Sequence, residues 1–159
     1  MITQPEKRIS RKALLVWRIS GVLASLYVWI PSILAVVLST VFEWKLWIPV
    51  VLCLISFVVT VFTVFLFPEL RWKRWRYEVR EHEIELQNGI FVIRRSLIPM
   101  ARVQHVDTFQ GPILRRFGLR AIMVSTAATI HEIPALEEEE AEALRAQISR
   151  LARVADDDV

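Results

Sequence analysis

Hydrophobic and polar positions follow two regimes along this chain. No Asp, Glu, Lys or Arg occurs from Ile19 to Phe42, and none from Leu46 to Pro68. A helix rises about 1.5 Å per residue, so about 20 apolar residues cross a hydrocarbon core of about 30 Å, and both runs exceed that length. The pattern predicts transmembrane helices over 19–42 and 46–68, preceded by a basic segment, 1–18. An external turn of Glu43, Trp44 and Lys45 is too short for anything but a tight antiparallel hairpin. A cleaved signal peptide is the competing reading of the first run. An h-region of about 7–15 residues is shorter than this run, and a second span follows almost at once, so the segment is expected to be retained.

From Trp72 onward the period changes to two. Trp75, Tyr77 and Val79 alternate with Arg74, Arg76, Glu78 and Arg80, and Ile84 and Leu86 alternate with Glu83 and Glu85, as in half-buried strands. Asn88-Gly89 is a hairpin turn signal leading into a strand over 90–95. Further strands are expected over 96–98, 103–109, 119–126 and 129–133, with a turn and short helix over 110–117 opened by Gly111-Pro112 and closed by Gly118. Ala141, Leu144, Ile148 and Leu151 then form an apolar helix stripe, and Glu137 to Glu140 at its start complement the helix dipole. The reading is an α+β membrane protein: a transmembrane helical hairpin, a small curved sheet or partly open barrel over 69–153 with a C-terminal capping helix, and an acidic tail, 154–159.

Charge adds orientation. Of 20 Lys plus Arg and 17 Asp plus Glu, residues 1–69 hold 6 basic and 3 acidic side chains, while the remainder is balanced. Lys7, Arg8, Arg11, Lys12 and Arg18 flank the first span, and Arg71, Lys73, Arg74, Arg76 and Arg80 follow the second. The positive-inside rule therefore places both termini of this multi-pass chain in the cytoplasm and the turn outside. Trp17, Trp44, Trp47, Trp72 and Trp75 fall where interfacial rings are expected, and the short link after Pro68 predicts a domain held against the cytoplasmic face. With a balanced soluble part tethered to membrane, no nucleic acid is expected as a partner.

The spans carry small-residue seams. Gly21, Ser25, Val28, Ser32, Ala35 and Ser39 recur at spacings of 4, 3, 4, 3 and 4, and Cys53, Ser56, Thr60 and Thr63 at 3, 4 and 3. Such residues permit close approach and interhelical hydrogen bonds in lipid. The two seams either meet inside the hairpin or face another subunit. Pro31 is expected to kink the first span and Pro49 to be tolerated in the first turn of the second. Neither span holds a deep charge of the kind that marks an ion or proton path.

Candidate chemistry is sparse. His82, His105 and His131 lack ligand spacing, and one cysteine offers no metal set or intramolecular disulfide. His105 and Asp107 share a strand face without a nucleophile motif, and the four glycines are too scattered for a phosphate loop. No catalytic residue, metal site or cofactor is expected. The basic side chains Arg71, Lys73, Arg74, Arg76, Arg94, Arg95, Arg115 and Arg116 are the candidates for a lipid surface, with Arg115, Arg116 and Arg120 forming a second patch with Arg94-Arg95 if their loops converge.

The stretch SLIPMARVQHVDTFQGPILRRFGLRAIMVSTA, followed by IHEIPALEEEEAEALRAQI, resembles the bacterial pleckstrin-homology-like (bPH2, YdbS-like) family of membrane proteins over nearly the whole chain. The resemblance implies a PH-like β-sandwich or partly open barrel, two sheets packed roughly orthogonally with a C-terminal helix closing one end. Pro99, Arg102, Gln104, His105, Gly111, Pro112 and Gly118 are then fold-signature residues. It also implies a partner: a larger multi-pass membrane protein with related PH-like domains, with a homo-oligomer as a further expected assembly. The function expected is a non-enzymatic adaptor in a bacterial envelope complex, serving envelope maintenance or protection from membrane-active agents. The alternative is anionic-lipid sensing or transfer at the inner leaflet.

Overall fold

The computed structural model describes residues 5–43 and 45–157; Trp44 of the expected turn and Asp158 of the expected tail lie outside them. The chain forms two compact units. Residues 14–70 make one, and the stretch ending at Ala13 joins residues 71–159 in the other.

The helical unit begins with α1 (Lys12–Val41), which starts before the uncharged run, so that Arg18 is helical and lies 5.8 Å from the centre of the Phe65 ring. The second arm of the hairpin is α2 (Trp47–Val61), a π-helical turn (Phe62–Leu66) and α3 (Phe67–Arg74) in continuous succession. The helix thus continues past Pro68, where the sequence suggested an end. Proline has no N–H to donate and its ring crowds the carbonyl four residues earlier, and the wider turn just before it accommodates both effects. Lys12–Val41 and Trp47–Arg74 are each long and apolar enough to cross a membrane.

The two small-residue seams face each other. Ser25, Ser32, Ala35 and Ser39 are buried, as is Ser56, while Gly21, Val28, Cys53, Thr60 and Thr63 are half-buried. Ser32, only 1% exposed, shares a 2.7 Å hydrogen bond with the Ser56 hydroxyl, and Ser56 also donates to the Val28 carbonyl at 3.2 Å. Trp29 Nε1 donates to Thr60 Oγ1 at 3.1 Å. A Cβ at position 21 would stand 3.0 Å from the Thr63 carbonyl oxygen, so glycine is what permits this backbone approach. The outward sides, including Phe57, Val58, Val61, Phe62 and Leu66, are apolar, as a lipid-facing surface requires.

The second unit is built from two antiparallel sheets and a helix. The first sheet runs β1 (Lys7–Arg8), β2 (Arg76–Val79), β3 (Glu83–Asn88) and β4 (Arg94–Pro99) in that order. A 3-10 turn (Met100–Arg102) leads to the second sheet: β5 (Val103–Phe109), β6 (Leu119–Thr126) and β7 (Ile130–Glu137), with α4 (Pro112–Arg116) between β5 and β6. The helix α5 (Glu138–Asp157) packs on β5, β6 and the 3-10 turn, and buries the expected stripe residues Ala141, Leu144 and Ile148. It extends beyond residue 153 into the stretch read as a tail. Facing Ala141, Leu144 and Ile148 in the core are Tyr77, Ile84, Leu86, Ile98, Met100, Leu119, Ile122, Val124, Ile133 and Leu136.

Three differences from the sequence reading have physical causes. The N-terminal flank is part of the domain: Lys7 and Arg8 pair with Tyr77 and Arg76, Ile9 and Ala13 are buried, and Ser10 N donates to the Ala135 carbonyl at 3.2 Å. That carbonyl is presented by a bulge in β7, where Ala135 has φ 52°. Trp75, read both as an interfacial ring and as the apolar side of a strand pattern, is 3% exposed in this core, as the second reading expects. Trp72 Nε1 donates to the Ile9 and Ser10 carbonyls at 3.2 Å, with Arg8 and Arg11 both within 6 Å of its ring centre, so this tryptophan staples the N-terminal segment. Finally, the strand expected over 90–95 begins only at Arg94: Gly89 has φ 124°, and residues 89–93 form a loop.

Candidate functional site

The signature residues sit where the chain passes from the first sheet to the second. Pro99 ends β4 with φ −63° and ψ 137° and caps the 3-10 turn, whose Met100 is fully buried and donates its N–H to the His82 carbonyl at 2.9 Å. This anchor fixes where β5 starts. The β5–β6 register shifts between Val103 and His105, leaving Gln104 as an extra residue. Such a bulge re-aims side chains: Val103, Val106 and Thr108 are half-buried, whereas Gln104, His105, Asp107 and Phe109 are exposed.

Two clefts flank this segment. One, about 480 Å³, is lined by residues 97–99, Ala101, Arg102 and Gln104 on one side and by the 126–129 turn with His131 on the other. That turn is closed by Thr126, whose N–H and Oγ1 both donate to the Thr129 carbonyl at 2.9 Å, and Thr129 Oγ1 shares a 2.9 Å hydrogen bond with His131 Nε2. The other cleft, about 620 Å³, runs between Ala101 and β5 residues 103–106 on one side and Ser149, Ala152 and Arg153 of α5 on the other. β5 is an edge of its sheet, and an edge strand presents backbone donors and acceptors to an incoming chain. Arg102, Gln104 and His105 are thus brought together around these clefts. Gly111, Pro112 and Gly118 are not: Gly111 caps α4, Pro112 is its first residue, and Gly118 ends it with φ 64°.

The basic candidates divide among separate places. Arg71 and Lys73 lie on α3 and each is engaged in an interaction, Arg74 ends that helix, and Arg76 pairs in register with Arg8. Arg94 and Arg95 are exposed on β4, where Arg95 Nε donates to Gln87 Oε1 at 3.1 Å. Arg115 and Arg116 are exposed on α4, which belongs to the second sheet, so the two pairs occupy different sheets. Arg120 is ion-paired to Glu138 and Glu142 on α5 and is a structural cation.

Two further polar groups were not singled out by the sequence. Arg80 holds three carboxylates of the first sheet, donating to Glu78 at 3.1 and 3.2 Å, Glu83 at 3.2 Å and Glu85 at 3.3 Å, and the hydrogen bond to Glu78 is the main cause that raises its pKa. Tyr77, fully buried, donates its hydroxyl to Glu140 Oε1 at 2.7 Å; burial first, then Glu140, pushes its pKa up. Both tie the first sheet together or to α5 and leave the clefts untouched.

The family described as Bacterial PH domain matches residues 12–152. The chain is similar over its full length, 52% identical, to the whole of the UPF0699 transmembrane protein YdbS of Bacillus subtilis (strain 168). It is also 28% identical over 80 residues, 48% of this chain and 16% of the other, to the UPF0699 transmembrane protein YdbT of the same organism. No solved structure matches. With two apolar spans, two antiparallel sheets closed by a C-terminal helix, and these likenesses, the chain belongs to the bacterial PH domain family.

Proposed function

We propose that this protein is a non-enzymatic, membrane-anchored PH-like adaptor, a subunit that joins other membrane proteins in a complex of the bacterial envelope. The observation that carries the reading is the open edge of β5 beside the cleft to α5, which is suited to receiving an extended segment as an added strand. Backbone pairing supplies affinity in that mode, and side chains such as Gln104, His105 and Arg153 supply selection. A larger multi-pass protein with related domains is the partner proposed. The local similarity to a much longer transmembrane protein supports the existence of such relatives. A homo-oligomer is a further assembly in the same mode, and envelope maintenance or protection from membrane-active agents is the process proposed.

In this reading the hairpin crosses the inner membrane twice with both termini in the cytoplasm. The basic flanks support that orientation, and β1, which pairs with β2 although the whole hairpin lies between them in sequence, supports both flanks lying on one side. Pull-down of the full chain in mild detergent at native expression tests the proposal. It predicts a stoichiometric membrane partner that is lost when Ala152→Trp fills the cleft and retained with Ala155→Trp further along α5. A clean monomer, or a partner indifferent to Ala152→Trp in a folded protein, refutes it.

A further inference from the structure

The loop between β3 and β4 has an unusual surface. Phe91, Val92 and Ile93 are 82%, 71% and 50% exposed, three consecutive apolar side chains in one loop. Their exposure is built into the backbone. At Gly89 an added Cβ would lie 1.9 Å from the Val92 carbonyl oxygen, so the loop folds tightly on itself at a φ that favours glycine and keeps its apolar tip turned outward. Contiguous exposed apolar groups of this kind mark a surface that something covers.

Strand register says at which end of the sheet the tip projects. Arg8 pairs with Arg76, Arg76 with Gln87, and Asn88 with Arg94, so Arg8, Arg76, Asn88 and Arg94 define one end. At that same end β1 runs out toward α1 and β2 comes in from α3. It is also a basic end, with Arg8 and Arg76 on adjacent strands and Arg94 and Arg95 directly after the apolar tip. An apolar wedge with arginines behind it is complementary to the acyl boundary and anionic headgroups of a bilayer, and an acidic or neutral protein groove would not need both features in this order.

We infer that Phe91, Val92 and Ile93 form a membrane-interface anchor, inserting into the leaflet on the domain's side of the membrane while Arg94 and Arg95 contact anionic headgroups. This anchor is independent of the β5 cleft. It gives the domain a second attachment, at a loop separate in sequence from the helices.

The test uses the full chain with Cys53→Ala, reconstituted in nanodiscs containing anionic lipid, with an environment-sensitive fluorophore on Val92→Cys and, in a second preparation, on Ile93→Cys. Insertion predicts blue-shifted emission at both sites. It also predicts quenching by a phosphatidylcholine carrying its quencher near the glycerol backbone, several-fold stronger than for the same dye on Glu81→Cys in the turn at the opposite end of the sheet. Arg94→Gln with Arg95→Gln should weaken that quenching in anionic discs. Water-like emission quenched by iodide at both sites overturns the inference. Blue-shifted emission with no lipid quenching also overturns it, because a protein surface then covers the tip.

Discussion

Replacing Ile9 with alanine separates two roles for the N-terminal flank. If residues 5–11 served only as a positive topology signal, an apolar side chain among them would be dispensable, and surface changes usually stay within about 0.5 kcal/mol. In the structure Ile9 is 2% exposed, follows the β1 strand, and has its carbonyl held by Trp72. Ile→Ala removes roughly three methylene-sized groups, each worth about 0.8 kcal/mol when buried, which gives about 2.5 kcal/mol. The residual cavity brings the expected loss to about 3 kcal/mol. Unfolding of the full chain in detergent, followed by the fluorescence of the buried Trp75, measures it, and hydrogen exchange of residues 7–13 shows where the loss resides. Lys7→Ala, which removes a charge but little buried surface, is the control and should move stability by less than about 0.5 kcal/mol. A loss below about 0.5 kcal/mol for Ile9→Ala, with residues 7–13 exchanging freely in the parent, would refute the assignment of the flank to the domain.

Other outcomes follow from the same structure. In a double-mutant cycle of Ser32→Ala and Ser56→Ala, the coupling should be about 0.6 kcal/mol and no more than about 1.7, measured by hairpin unfolding in bicelles. Tyr77→Phe should cost about 1 to 3 kcal/mol because a hydrogen bond to a carboxylate is lost. Tyr77 has a folded pKa above its unfolded value of 10.0, so above pH 10 the unfolded chain binds fewer protons and parent stability falls as pH rises, a slope that Tyr77→Phe should lack in chemical denaturation. Arg80→Gln should lower the melting temperature by leaving Glu78, Glu83 and Glu85 without their shared cation, and adding Glu85→Gln should restore part of it in a thermal scan.

Much of this architecture is written in periodicities. Runs free of charge longer than a bilayer is thick identify the hairpin, and the 3, 4, 3 stripe of α5 appears in the structure as the buried residues Ala141, Leu144 and Ile148. β1 is illegible for the converse reason: a two-residue strand has no period, and Lys7-Arg8 reads equally well as a topology signal. Trp72 and Trp75 are ambiguous because a ring with a polar tip suits a membrane interface and a domain core alike. Residues 90–93 have strand-like composition, yet with the tight turn at Gly89 they lie outside the ladder. Glu85 alternates as though solvated yet is 6% exposed, because Arg80 reaches it from a neighbouring turn. At the site, Arg102, Gln104 and His105 are recognisable as a signature, but their grouping around two clefts depends on the 3-10 turn and the Gln104 bulge, neither of which has a hydropathy pattern.

The position of β1 ahead of the hairpin and of β2 behind it orders the birth of this protein in time. The first strand of the sheet leaves the ribosome before either span, yet it has no partner until both spans have been made and the chain has returned. The sheet is therefore begun first and closed late, and with the hairpin spanning as proposed above its closure requires that the two ends of the hairpin meet in one compartment. In the topology proposed above, a chain threaded with its ends on opposite sides cannot form the β1–β2 pair, and Trp72 loses the Ile9 and Ser10 carbonyls it holds. The β1–β2 pair thus couples completion of this small sheet to the path the hairpin takes between its two strands.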